Sequence, residues 1–286
     1  MQEIKWIRRM NSRPLMSCSS RLQYDDFGWQ MKIISWNMAR RRAPTMAAAW
    51  DWLNKELGAD VLLLQETVWP ESLSNTWLSH SFNRKYEETG GIWGTAVLCR
   101  LEGYSPYIPN DADVLLKSIH GSYALLKPDD LQDPWLGSIH SNHQIVSNEI
   151  AKHAIEARVL KESTKNRYRE IEIFAHEFKR IAGDAKFVVG GDLNLSLLWD
   201  QSTGQSTSGN IFSNLNTMGF HKLGPLTHER EIQTYWKTNS GPFQLDHLFS
   251  DIASLDNVRT FTSLPELVTS RLLSDHSPVS VEFHRV

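Results

Sequence analysis

Two polar side chains follow directly on one apolar run of this sequence. The stretch KFVVGGDLN, residues 186–194, begins as a strand should, because its FVV segment suits the interior of a packed sheet. Asp192 and Asn194 then occupy alternate positions, and a strand conformation would place both on one face. A carboxylate beside a carboxamide can hold a water molecule, a phosphate or a divalent cation. The pattern therefore predicts chemistry at this strand end.

Other predicted strands also end in, contain or closely follow polar side chains. Each of these positions carries a carboxylate, an amide or an imidazole: Asn37, Glu66, His140, Asp246, Asp275 and His276. Burying such groups costs on the order of several kcal/mol each unless they are paired or bind a metal. Taken singly they have ordinary alternatives, since Asn37 could cap a turn, Glu66 could lie on the surface and the SDH segment could be turn chemistry. For the sequence to carry no functional site, all of these ordinary alternatives would have to be true at once.

An alternation of strands and helices is predicted to position these groups. Predicted strands cover residues 32–36, 60–66, 94–100, 122–128, 134–140, 187–192, 244–251 and 277–283. Helices are predicted over 43–58 and 164–182, where apolar residues recur every three or four positions and a glycine stands at or just after the end. The segment 202–210 has no apolar period and is predicted to be a polar loop. With no repeat or clear linker, one α/β domain is expected.

The composition is that of an ordinary globular protein, with 41% hydrophobic and 22% charged residues among 286. A formal net charge of −3 excludes a generally basic nucleic-acid coat, so a polyanion would need a local positive site or bound metal. Two cysteines are too few for a disulfide scaffold and fit a reducing compartment. No transmembrane segment or secretory signal is expected, so a cytoplasmic location is predicted. Residues 1–30 are predicted to be an extension outside the core fold.

Six short motifs occur in one order along the chain. They are SWN at 35–37, LLLQE at 62–66, SIH at 138–140, GGDLN at 190–194, LDHLF at 245–249 and SDHSPV at 274–279. This series resembles the endonuclease/exonuclease/phosphatase, or deoxyribonuclease I-like, superfamily. The resemblance implies an α/β fold for residues 31–286, a four-layer sandwich in which two mixed β-sheets lie face to face between helices.

The same resemblance implies phosphodiester hydrolysis and a metal site. Glu66 would be the main metal carboxylate, with Asn37 and Asp275 nearby. Such oxygen ligands favour Mg²⁺ or Mn²⁺ over zinc. Ala39 departs from some relatives, which place a further metal-binding aspartate two residues after the asparagine of SWN. The number of metal ions, one or two, therefore stays open.

Catalytic roles follow from the matched motifs as well. Asp192 would hold and deprotonate the attacking water, and Asn194 would help to position it. His276 would contact the phosphate while Asp246 fixes its tautomer and charge. His140 matches the second catalytic histidine of the deoxyribonuclease I branch, whereas apurinic endonucleases use a tyrosine in that region.

The substrate is less well defined by the sequence. Arg40, Arg41 and Arg42 follow the Asn37 strand end and could contact phosphates, although a solvated charge run is an equal alternative. Four tryptophans in or beside loops could stack on unpaired bases or simply pack: Trp69, Trp93, Trp199 and Trp236.

A nuclease acting on DNA or RNA is the first hypothesis. A phosphodiesterase or phosphatase on a small or lipid substrate and an inactive binding module are the alternatives, and inositol phosphates are disfavoured because serine and histidine replace two arginines of that branch. Oligomeric state is left undetermined.

Overall fold

The computed structural model describes residues 30–55, 58–68, 76–86, 92–119, 121–141, 147–156, 170–225, 230–237, 241–251 and 258–284. These residues form twelve strands and seven helices. In chain order they are β1 (Gln30–Asn37), α1 (Ala43–Lys55), β2 (Val61–Thr67), β3 (Ser79–Tyr86), β4 (Ile92–Cys99), β5 (Tyr104–Pro106), α2 (Val114–Ser118), β6 (Tyr123–Pro128), β7 (Trp135–Ile139), α3 (Asn148–Glu156), α4 (Glu170–Ala182), β8 (Phe187–Asp192), α5 (Leu197–Thr203), α6 (Thr207–Thr217), β9 (His221–Lys222), β10 (Asp246–Ser250), β11 (Val258–Ser263), α7 (Glu266–Thr269) and β12 (Val279–His284).

The strands form two mixed six-stranded sheets. Sheet A has the order β11-β12-β1-β2-β4-β3, and sheet B has the order β5-β6-β7-β8-β10-β9. Each sheet has one parallel pair at its centre, β1 with β2 and β7 with β8, while the other neighbouring strands are antiparallel. The carboxyl ends of β1, β2, β7 and β8 therefore lie at the same end of the two sheets as the amino ends of the antiparallel strands β10 and β12. We call this end of the sheets the shared edge.

Three apolar clusters separate four layers of secondary structure. Val61 and Leu63 of β2 belong to the cluster between the two sheets. Leu62 and Leu64, on the other face of the same strand, pack with residues of α1 and α7. A third cluster joins sheet B to α2, α3, α4 and α6. Burial of β2 on both faces explains its continuous apolar run, and the predicted four-layer sandwich is confirmed.

Most predicted elements occur within a few residues of their expected positions. Helix α1 covers 43–55, and Gly58 has φ +55°, as a C-terminal stop requires. Helix α4 begins at Glu170, and residues 164–169 of the predicted helix lie outside the described residues. The predicted extension also lies outside them up to residue 29, whereas Gln30 already pairs with His284 in sheet A. No described helix is long and apolar enough to cross a membrane.

The predicted polar loop at 202–210 is wrong. Helix α5 ends at Thr203, Gly204 adopts φ +67°, and helix α6 runs from Thr207 to Thr217. The apolar face of α6 consists of Ile211 and Leu215, and the buried residue one turn earlier is Ser208. A serine in place of a third apolar residue hides the helical period within 202–210. The edge strand β3 is mostly polar, and helices α2 and α7 have only five and four residues, too few to show a helical period.

Candidate active site

The two sheets approach closely at the edge where the polar strand ends lie. Gln65 Nε2 donates to Ser138 Oγ at 2.8 Å, and that hydroxyl donates to the carbonyl of Leu64 at 3.0 Å. Gly191 has no room for a side chain, because a Cβ there would lie 1.8 Å from the Ile139 carbonyl oxygen of the neighbouring strand and 2.9 Å from Gln65 Nε2 of the other sheet. These contacts join β2 of sheet A to β7 and β8 of sheet B. Gln65 and Ser138 were not predicted as site residues, and only the Gly-Gly pair signalled the close approach.

Asn37 joins the acids of the two sheets. Its Nδ2 donates to Asp192 Oδ2 at 2.8 Å and lies 3.3 Å from Glu66 Oε1. The carbonyl oxygen of Asn37 accepts from Ser274 Oγ at 2.7 Å, which also fixes the segment before Asp275. One carboxamide thus holds a carboxylate of each sheet at the shared edge.

Two histidines complete this group. His276 Nδ1 lies 2.9 Å from Asp246 Oδ2, and its Nε2 lies 3.8 Å from Asp192 Oδ2. His140 Nε2 lies 3.5 Å from Glu66 Oε1 and 3.8 Å from Asp192 Oδ2. We call the six residues Asn37, Glu66, His140, Asp192, Asp246 and His276 the candidate centre. All are buried except Glu66, which is partly exposed.

Burial and neighbouring charge act in opposite directions on the acids of the centre. Burial raises the pKa of Asp192 to about 7, with Asp246 adding to the rise and His276 opposing it. Burial would also raise the pKa of Glu66, yet the positive charges of His140 and Arg40 bring it below its usual value. The two carboxylates therefore differ in proton affinity although they face the same histidine.

His276, the second histidine of the centre, is held protonated. Burial alone would lower the pKa of His276, but the charges of Asp246 and Asp192 raise it to about 10. Burial and the charges of Asp275, Asp192 and Glu66 together raise the pKa of the Tyr235 phenol. The Tyr235 ring packs on His276 with centroids 4.9 Å apart. The motif comparison did not single out Tyr235.

The donor set fits a divalent cation. Glu66, His140 and Asp192 each offer one ligand atom, and these atoms lie within 4.8 Å of one another. In addition, Asp246 Oδ1 is buried and has no hydrogen-bond partner among the described residues. The two carboxylates suit Mg²⁺ or Mn²⁺, and Asn37 presents its Nδ2 to them while its Oδ1 accepts from the Ala39 N–H. The grouping differs from the predicted Asn37–Glu66–Asp275 set, since His140 and Asp192 join Glu66 while Asp275 Oδ1 faces Arg41 Nη2 at 3.5 Å.

The remaining predicted site residues lie around the centre. Asn194 has φ +52°, its backbone N–H donates to Asp192 Oδ1 at 2.9 Å, and its Nδ2 donates to the Ser141 carbonyl at 3.1 Å. Arg40 Nε pairs with Glu66 Oε2 at 2.9 Å. Arg42 is exposed at the start of α1.

The tryptophans considered for base stacking have different environments. Trp93 is buried against His140, with ring centroids 5.6 Å apart. Trp199 is 40% exposed and stacks on Phe243 at 5.6 Å. Trp236 donates from Nε1 to Ser277 Oγ at 2.6 Å, and Trp69 lies outside the described residues.

The family of this chain follows from its sequence profile. The profile of the "Endonuclease/Exonuclease/phosphatase family" matches residues 34–276, which include every residue of the candidate centre. The chain belongs to this family. Its members hydrolyse phosphoester bonds, and the candidate centre occupies the strand ends that carry the matched motifs. No curated protein matches the chain in a sequence search.

Solved structures with the fold of this family resemble the chain at low identity. The 3′-5′ exonuclease NExo from Neisseria meningitidis is 15% identical, with a TM-score of 0.63, over 89% of this chain and 100% of that one. An AP endonuclease from Archaeoglobus fulgidus is 14% identical, with a TM-score of 0.61, over 88% and 99%. The endonuclease domain of TRAS1, a telomere-specific non-LTR retrotransposon, is 15% identical, with a TM-score of 0.58, over 90% and 99%. At these identities the likeness shows the fold alone.

Proposed function

We propose that this protein is a Mg²⁺- or Mn²⁺-dependent nuclease that hydrolyses phosphodiester bonds of DNA or RNA. The observation that carries the proposal is the meeting of one amide, three acids and two histidines at a single edge of the two sheets. Family membership supports the reaction class. The nuclease assignment draws further support from the arginines and aromatic rings around the centre.

Glu66 and Asp192 would hold the divalent cation, with His140 as a neighbouring ligand and Asn37 and Asp275 beside them. When bound, the cation supplies positive charge that stabilises the transition state on the phosphate. Both oxygens of the Asp192 carboxylate are oriented, Oδ2 by Asn37 and Oδ1 by the Asn194 backbone N–H. Asp192 would accept the proton of the attacking water, and Asn194 would keep that carboxylate in place.

His276 would bind the phosphate through Nε2. Its Nδ1 is paired with Asp246, so that carboxylate fixes which ring nitrogen faces Asp192 and the substrate. The position is reinforced by Trp36 Nε1, which donates to the His276 carbonyl at 2.8 Å. His140 would supply a second imidazole, with its Nε2 also 3.8 Å from Asp192 Oδ2.

A nucleic acid suits the surroundings of the centre. Arg40 lies beside Glu66 of the centre and Arg41 beside the neighbouring Asp275, and both arginines would meet phosphates of a bound strand. The stacked pair Trp199 and Phe243 offers an aromatic surface, and base stacking on such rings contributes about 1–3 kcal/mol per base. Neither feature is needed by a phosphatase that acts on a small headgroup.

The experiment is a substrate panel with purified full-length protein in Mg²⁺, Mn²⁺ or EDTA. The substrates are single- and double-stranded DNA, RNA, a DNA hairpin with a 3′-phosphate, and a phospholipid headgroup diester. We expect metal-dependent cleavage of at least one nucleic acid. Turnover of the headgroup alone would replace the nuclease by the small-substrate hydrolase, and no turnover of any substrate would favour a binding module.

Two histidine variants tie the activity to the candidate centre. His276→Ala removes the imidazole paired with Asp246 and should lower the rate by about 10²-fold or more. His221→Ala is the matched control, because His221 pairs with Ser250 at the far end of β10 from Asp246. It should keep the wild-type rate. Equal rates for the two variants would assign the cleavage to a contaminant or another site.

A further inference from the structure

An unusual backbone turn brings one arginine against the candidate centre. Among the described residues five non-glycine positions have positive φ, and three of them are Ala39 at 56°, Arg40 at 46° and Glu66 at 48°. Such conformations cost about 1–2 kcal/mol for residues with a Cβ and persist where surrounding contacts enforce them. Here the two strained segments bond to each other, because the Arg40 backbone N–H donates to the Glu66 carbonyl at 3.1 Å.

The turn is also fixed from within. The Met38 N–H donates to the Gln65 carbonyl at 2.9 Å, and the Ala39 N–H donates to Asn37 Oδ1 at 2.8 Å. The chain leaving β1 is thereby folded back over the end of β2. This turn places the Arg40 side chain beside Glu66. The Ala39 side chain offers no ligand atom.

The Arg40 guanidinium is held on two sides. Its Nε lies 2.9 Å from Glu66 Oε2, and its Cζ lies 4.1 Å from the centroid of the Trp93 ring. Trp93 is buried and packs on His140, so the stacking surface belongs to the wall of the centre. A cation over a tryptophan face is electrostatically favourable. The side chain is still 39% exposed, which leaves it within reach of a substrate.

The two oxygens of Glu66 therefore face different partners. Oε2 is paired with Arg40, whereas Oε1 lies 3.3 Å from Asn37 Nδ2 and 3.5 Å from His140 Nε2. The group of ligand atoms able to surround one ion consists of Glu66, His140 and Asp192. Only one side of the Glu66 carboxylate is open to that group, and a fixed positive charge occupies the other side.

We propose that Arg40 is a resident cation of the centre, one that takes the place of a second metal ion and weakens the binding of the first. This inference rests on the proposed metal-dependent function. The guanidinium and a divalent ion would share one carboxylate, and two cations on one carboxylate repel each other. Arg40 thus limits the centre to a single ion and supplies positive charge that needs no metal.

The test measures Mn²⁺ binding without substrate, by the loss of the free-ion EPR signal, in wild-type protein and Arg40→Met. Removing the guanidinium should tighten the dissociation constant at least tenfold, and wild-type protein should bind one Mn²⁺ per chain. Arg40→Lys keeps the charge and should stay within about threefold of wild type. Circular dichroism of each variant checks that the fold is intact.

Arg100→Met is the matched control. Arg100 also stacks on a tryptophan, with Cζ 4.4 Å from the Trp77 ring, but it follows the end of β4 opposite the centre. Its loss changes the net charge equally and should leave Mn²⁺ affinity unchanged. An Arg40→Met protein that is folded and binds Mn²⁺ as wild type does, or more weakly, would overturn the role of Arg40.

Failure of the underlying function is separable from failure of this inference. Glu66→Gln should abolish Mn²⁺ binding in both the wild-type and the Arg40→Met background. If neither wild-type protein nor Arg40→Met binds Mn²⁺, both the proposed metal centre and the proposed role of Arg40 are wrong. If wild-type protein binds Mn²⁺ and Glu66→Gln does not, the centre stands whatever Arg40→Met shows. Two Mn²⁺ ions bound by wild-type protein would contradict only the resident cation.

Discussion

Two regions of this protein bury carboxylates, and they treat them in opposite ways. Between α2 and α4, Asp113 and Glu177 share the guanidinium of Arg180, and Tyr107 Oη donates to Asp113 Oδ2 at 2.7 Å. We call these four residues the Arg180 cluster. In the candidate centre, Asp192 has only amide donors within hydrogen-bond distance and lies 3.8 Å from the histidines.

The difference appears in the proton affinity of the two buried aspartates. Burial raises the pKa of Asp192 to about 7. Burial acts in the same direction on Asp113, but hydrogen bonds from Arg180 and Tyr107 lower its pKa below the usual value. An acid that is already matched by a guanidinium and a phenol stabilises the fold. An acid that receives hydrogen bonds only from amides, with the imidazoles 3.8 Å away, keeps a raised pKa and can take up a cation or a proton.

The largest effect is expected from Asp192→Asn. The asparagine can still accept the Asn37 amide, but it cannot take a proton from water, so activity should fall by about 10³-fold. Because the variant removes a buried charge that desolvation disfavours, its melting temperature in EDTA should equal or exceed that of wild type. Enzyme assays and thermal melts on the same preparation check both. A destabilised variant would contradict the view that Asp192 serves function at the expense of stability.

Arg180→Met should show the reverse pattern. The variant keeps the apolar stem but leaves Asp113 and Glu177 buried without their shared cation, and because the guanidinium is itself 45% exposed the cost should be about 2 kcal/mol. Urea unfolding should show this loss in the free energy of unfolding, while the rate per folded molecule stays within about twofold of wild type. A drop in rate without a drop in stability would erase the distinction between the two regions.

The sequence predicted the candidate centre far better than the Arg180 cluster. Strand ends at one edge of a sheet are recognisable from apolar runs followed by single polar residues, and Asp192 or Glu66 stands out in that setting. Asp113 and Glu177 are far apart in the chain and lie in or beside helices, where acids are ordinary surface residues. Nothing local reveals that tertiary packing buries them against Arg180.

Errors in the prediction have the same physical origin. The sequence predicts a loop at 202–210 because Ser208 occupies a buried helical position, and burial of a serine depends on its neighbours. The sequence likewise does not show the left-handed turn that brings Arg40 to Glu66, and the contact of Arg40 with substrate phosphates stays a prediction. The residue types at the centre were predictable, whereas backbone turns and cross-sheet contacts such as Gln65 to Ser138 were not.

The smallest effect is expected from Asp113→Asn, and its dependence on pH sharpens the comparison. The pKa of Asp113 is lower in the folded chain than in the unfolded one. Its ionised form therefore stabilises the fold above the unfolded value of about 4, and this contribution is lost as the pH falls through the folded pKa. At pH 7 the variant should be less stable by ~1.5 kcal/mol, as for a hydrogen bond to a charged group. Urea unfolding at pH 7 and pH 3 should show the difference from wild type shrinking in acid. A difference that stays constant would mean that Asp113 acts through packing, and charge matching would then not distinguish the two regions.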